Sequence, residues 1–237
     1  MYEITSYYYL NNNQEDTILY LHGWGCNKQY MMPLISNVKR WNVLVIDLPG
    51  FGTNPPFTSY KTFDDFIDII DKFIKDNNYQ ITYIIGHSFG GKLAVSLTKR
   101  LNIRHLFLFA PSIFNKPRLL SYYIKVYLYK LIKRIKPNSK LLKYFGSKDY
   151  KSLNNIMKAT MSNVINYDLS KLIKEINTPT TLFFANKDKI TPIYLGKKIK
   201  RKMKDCNLFV INGNHFAYLN NINYINRIIE SVVILNA

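Results

Sequence analysis

Six short runs of β-branched and aromatic residues recur along the chain, most of them followed by a stretch whose apolar residues keep helical spacing. This alternation constrains the fold more than any other feature. The runs are Thr17–Leu21, Asn42–Leu48, Ile81–Ile85, His105–Phe109, Thr180–Ala185 and Asn207–Ile211. Most are nearly continuous in apolar character, as strands buried on both faces of a parallel sheet must be. The helical patterns are Gln29–Trp41, Thr62–Asn77, Phe89–Leu101, Ile193–Lys204 and Asn220–Ile234. Alternation of this kind predicts a doubly wound, mostly parallel α/β sheet. Tyr2–Leu10 is expected as an added antiparallel edge strand. A length of 237 residues suits one domain, residues 1–237, with room for an insertion.

The insertion is where the rhythm fails. Between Ala110 and Thr178 no convincing strand occurs, and a structureless connection of that length is uncommon in a compact domain. Arg118–Ile135, stopped by Pro137, and Tyr150–Val164 are expected as helices. Residues 112–170 are therefore expected to form a small helical cap over the carboxyl edge of the sheet. Its inner face would come from the Tyr, Leu and Ile positions of Leu119–Ile132 and from Ile156, Met157 and Met161. Flexible Met and large aromatic side chains suit an apolar pocket.

The strongest chemical signal is Gly86-His87-Ser88-Phe89-Gly90, between an apolar strand and an amphipathic helix. A strand, one sharp turn and a helix, with serine at the apex, is the setting of an exposed nucleophile. Gly86 and Gly90 allow the strand and helix to approach closely. His22-Gly23-Trp24-Gly25 follows the strand ILYL. Acyl transfer needs two N–H donors aimed at the developing oxyanion, and Phe89 and Trp24 are placed to supply them. Gly23 gives the backbone freedom to approach substrate, while His22 more naturally braces its loop. A base is sought among four histidines. His87 is expected to point away across the turn, and His105 to be a half-exposed structural residue. His215, in a loop between the last strand and the last helix, remains. Asp188 follows the strand TTLFFA and is the expected orienting acid. Asp47 precedes Leu48-Pro49-Gly50-Phe51-Gly52, where it more naturally ties down a turn.

HGWG, DLPGFG, GHSFGG, NKDKITP and GNHFAYL occur in an order and spacing that resemble the α/β-hydrolase family over essentially the full chain. Two positions depart from the family pattern: Thr53 stands where Ser is frequent, and Asn186 where Gly often precedes the acid. The short HGWG form is similar to the small esterases that include pimeloyl-carrier-protein methyl esterase. The resemblance implies a serine hydrolase of carboxylic esters or thioesters, with no metal or organic cofactor. His22 and Cys26 lie four apart but have no further ligands at metal spacing.

A net charge of +18 raises two further partner classes. Nucleic acid is not expected, because Lys outnumbers Arg 26 to 7 and phosphate and base readers favour Arg's bidentate fork. An anionic membrane is the other class. Asn115–Lys148 holds ten Lys or Arg and no Asp or Glu, interleaved with Leu, Ile, Val and Tyr. That pattern carries an alternative function, a monoacylglycerol-type lipase acting at membranes. A catalytically inactive binding protein on the same fold is the alternative of another class. The leading partner is a small-molecule acyl ester. The first residues carry no secretory pattern and the two cysteines no disulfide framework, so a cytoplasmic location is expected.

Overall fold

The computed structural model describes residues 2–36, 38–114, 120–136, 139 and 153–235. Seven strands form one sheet: β1 (Tyr7–Leu10), β2 (Thr17–Leu21), β3 (Asn42–Ile46), β4 (Ile81–His87), β5 (His105–Phe109), β6 (Thr180–Ala185) and β7 (Cys206–Ile211). Their spatial order is β1-β3-β2-β4-β5-β6-β7. Only β1 is antiparallel, pairing Tyr7 with Ile46 and Leu10 with Val43. Residues 2–6 do not extend that ladder. Beyond one backbone bond, from the Asp47 N–H to Ser6 O at 2.9 Å, side chains hold them: the N–H groups of Thr5 and Ser6 each donate to Asn54 Oδ1 at 2.9 Å.

Among the described residues the α-helices are α1 (Phe63–Asp76), α2 (Phe89–Leu97), α3 (Leu120–Ile135), α4 (Asn155–Ile165), α5 (Leu172–Glu175), α6 (Ile193–Lys200) and α7 (Ile222–Leu235). Thr62 and Asp65 form a reciprocal capping box that fixes the start of α1. α4 is opened by Asn154, whose Oδ1 accepts the Met157 N–H at 2.8 Å. The helix expected from Arg118 is described from Leu120 on, and the one expected from Tyr150 begins at Asn155; residues 118–119 and 150–152 lie outside the described set. Pro137 lies outside it too.

One helical expectation fails. Gln29–Trp41 is not an α-helix but two 3-10 turns, Lys28–Tyr30 and Met32–Ile35. Pro33 lacks an N–H and disfavours a helical residue before it, so the apolar spacing is realised as two short turns.

Strand alternation divides the core in two. Leu19, Leu21, Ile84, Leu106 and Leu108 meet α1, α2 and α6 on one face. Ile18, Tyr20, Ile85, Phe107 and Phe109 meet the 3-10 turns and α7 on the other. Because β3 lies on one side of β2 and β4 on the other, the loops after β2 and β4 diverge across a crevice at the carboxyl edge. That is where open α/β sheets place ligands.

Candidate active site

Ser88 sits between β4 and α2 at φ 52° and ψ −108°, a left-handed conformation rare for a side-chain-bearing residue. The neighbouring chain holds it there. Its N–H donates to Phe109 O at 2.9 Å, and its carbonyl accepts from Ser112 N at 3.0 Å. The close approach needs glycine on both sides: a Cβ at Gly86 would fall 2.6 Å from Gly91 Cα, and one at Gly90 2.2 Å from Leu21 O. Ser88 itself remains half-buried, open enough to meet a substrate.

Asp188 and His215 come together from the loops after β6 and β7. His215 Nδ1 lies 2.7 Å from Asp188 Oδ2. Asp188 Oδ1 accepts the N–H groups of Ile190 at 2.7 Å and Thr191 at 3.0 Å. Burial works to raise the Asp188 carboxyl, but the His215 contact and the Thr191 donors outweigh it and hold the group below its usual range. The acid is thus a fixed anion facing one ring nitrogen of His215.

Two residues at this contact were not singled out by sequence reasoning in their true roles. Thr191 Oγ1 lies 2.8 Å from Asp188 Oδ2 and 3.2 Å from His215 Nδ1, bracing both partners. Its signal was present: a hydroxyl three residues beyond an acid in a tight loop closes a turn on that acid. His87 does not simply point away. Its Nε2 lies 3.1 Å from His215 O and its ring centroid 4.7 Å from that of His215. Burial first, then the neighbouring His215, push His87 down to about 3, so it stays neutral and donates from Nε2. The residue before the serine therefore ties the His215 loop to the turn.

The loop after β2 lies against the same turn. A Cβ on Gly23 would stand 2.9 Å from His87 Nδ1 and 3.4 Å from Ser88 Cβ. His22 is fully buried, accepts the Leu48 N–H on Nε2 at 2.8 Å and bonds Gly23 O through Nδ1 at 2.8 Å. Burial lowers it to about 4, so it braces the loop as a neutral ring. The Trp24 ring packs edge-on against Phe51 and Phe89, at 4.8 and 5.3 Å. The Trp24 backbone N–H donates to no other described residue. Phe89 opens α2, where first-turn N–H groups have no partner within the helix.

The remaining candidates are placed elsewhere. His105 is buried rather than half-exposed, because β5 is an inner strand, and its Nε2 meets Thr181 Oγ1 at 2.9 Å. Asp47 is engaged by Ser6 Oγ at 2.6 Å, Lys28 Nζ at 3.1 Å and Thr53 N at 3.2 Å, which locks the DLPGFG turn. Among the described residues no group of three His, Cys, Asp or Glu could hold a metal ion, and no helix is long and apolar enough to cross a membrane.

Comparison with known proteins agrees with this architecture. The chain is 35% identical over 88 residues to a pimeloyl-[acyl-carrier protein] methyl ester esterase of Shewanella woodyi, covering 37% of this chain and 32% of that one. It is 25% identical over 240 residues to an AB hydrolase superfamily protein of Bacillus subtilis, covering 90% and 89%. Several curated relatives, the esterase among them, are matched over less than half of their own length. The solved structure of a lipase-esterase related protein from Clostridium acetobutylicum superposes with a TM-score of 0.72 at 22% identity, covering 96% of this chain and 99% of that one, and shows the shared fold. Residues 18–219 match the model of the alpha/beta hydrolase family, and the chain belongs to that family.

Proposed function

We propose that this chain hydrolyses carboxylic esters, thioesters included, through an acyl-enzyme on Ser88. The observation that carries the reading is the 2.7 Å contact of His215 Nδ1 with buried Asp188, at the same sheet edge as the strained Ser88. With Nδ1 turned to the acid, Nε2 is the ring nitrogen left to accept the Ser88 proton. Ser88 Oγ then bonds the acyl carbon, and the carbonyl oxygen takes the negative charge between the N–H groups of Trp24 and Phe89. The protonated His215 gives its proton to the departing alcohol or thiol as that bond breaks. Water, deprotonated by His215, attacks the acyl-enzyme and releases the acid and free Ser88.

Residues 112–170 serve in this reading as the cap over the pocket. Met157 is buried in the core cluster and Ile156 packs against it, so α4 is the element suited to face an acyl chain. Tyr127, Leu128 and Leu131 are exposed instead and do not form an inner lining. The test is labelling by a fluorophosphonate probe together with turnover of p-nitrophenyl esters of rising chain length. Probe labelling abolished by Ser88→Ala, with turnover, supports the reading. A folded chain that takes no probe and cleaves no ester is the inactive binding protein instead.

A further inference from the structure

The exposed side chains of α3 form two kinds of surface on one helix. Tyr127 and Ile135 are each 66% exposed, and Leu128 and Leu131 are 41% and 39% exposed. At about 100° per residue these four positions fall within an arc of about 100°. Lys130 and Arg134 lie along one border of that arc and Lys136 beyond the other, all exposed. No acidic residue occurs in Leu120–Ile135. Large apolar side chains collected on one solvent-facing strip mark an interaction surface rather than a solvated face.

From this arrangement we infer that α3 docks on an anionic lipid bilayer, the apolar strip entering the acyl-chain boundary and the flanking cations lying among the phosphates. Charge selects this occupant. A second copy of the chain would bring +18 against +18 and cation against cation. A nucleic acid would engage the cations but leave the apolar strip in water. An anionic bilayer rewards both at once. Placement gives docking a use. The segment carrying α3 leaves the sheet after β5, whose last residue, Phe109, receives the Ser88 N–H. Docking would hold the chain at an interface where long-chain esters reside. The binding itself stands apart from the hydrolytic reading.

Co-sedimentation of the full chain with vesicles tests it, using phosphatidylcholine alone and phosphatidylcholine mixed with phosphatidylglycerol. The wild type is expected to bind the mixed vesicles at low salt and to be released as salt screens the charges. Lys130→Gln with Arg134→Gln should weaken binding on the order of thirty-fold, from about five-fold per cation. Leu131→Ser with Ile135→Ser should weaken it on the order of a hundredfold if both side chains are withdrawn from lipid. Both variants should keep wild-type turnover of p-nitrophenyl acetate and wild-type circular dichroism, and Ser88→Ala should bind as wild type does. No binding at low salt, equal binding to both vesicle types, or binding unchanged in both double variants would overturn the assignment. Vesicle binding without ester turnover would overturn the hydrolytic reading and leave this one standing.

Discussion

At Ser88 the backbone is strained, at Asp188 the charge is fixed, and at His215 one nitrogen is committed to the acid. In the proposed mechanism these residues act as one unit, so their substitutions should not add. Ser88→Ala should reduce ester turnover to background while leaving circular dichroism unchanged, and His215→Ala should do nearly the same. Asp188→Asn should lower kcat on the order of 10⁴-fold, because an amide donor facing Nδ1 favours the wrong tautomer. Thr191→Val is the finer test. It removes a hydroxyl that braces both partners and should cost about ten-fold in kcat with little change in KM, the scale of one hydrogen bond to a charged group. Steady-state kinetics on one short ester checks the whole series. Near wild-type turnover in Asp188→Asn together with a dead Asp47→Asn would move the acid to the DLPGFG turn. Much of this site could be read from the chain, because a nucleophile turn, a loop histidine and a strand-end aspartate each carry a local pattern. Thr191 and His87 could not be read in full, because their roles arise only when the loops after β4, β6 and β7 meet.

Between elements, one contact under chemical tension is that of Lys92 of α2 with the end of α4. Lys92 is 2% exposed, its Nζ donates to Val164 O at 3.1 Å, and it lies 5.7 Å from the Phe63 ring centroid. A cation at a helix carboxyl end is favourable, yet burial pushes this amine down to about 8, opposed only in part by Asp168. Between about 8 and 10.5 the folded chain has shed the proton and the unfolded chain keeps it. The unfolded state then binds more protons, and stability rises with pH. Denaturant titrations should therefore show wild type gaining on Lys92→Met across that window, and a constant difference would show that Lys92 keeps its charge in the fold. The sequence places Lys92 on α2 by periodicity alone. Its partner lies 72 residues away in the segment where strand patterning fails, so the pairing has no local signature. Where local pattern and packing agree, as in β5 and β6, the expected bounds match the observed ones. Where a single residue overrides the period, as Pro33 does, they do not.

For the whole molecule, three neutral histidines are built into the interior. His22 and His105 are lowered to about 4 and His87 to about 3, in each case chiefly by burial. Unfolding frees them to take protons at their ordinary value of 6.5. Stability should therefore decline as pH falls from 6.5 toward 4, alongside the later loss from paired carboxylates such as Asp188. Thermal melts across that range check it, and a melting temperature flat from pH 6.5 to 4 would mean that these rings are not buried neutral. The loop after β2, proposed to help hold the oxyanion, has a second dependence, which begins at the β1 edge of the sheet. Tyr2 Oη accepts the Gly50 N–H at 2.6 Å, Ser6 Oγ bonds Asp47, and Leu48 N–H in turn holds His22 beside Gly23. β1, which directly follows the segment bearing Tyr2 and Ser6 in the chain, has only four residues and a mostly exposed pattern at a sheet edge. Edge segments of that kind open locally before a domain melts. On gradual warming, ester turnover should vanish several degrees below the calorimetric transition and return on cooling. The amino-terminal strand would act as the thermal fuse of the catalyst.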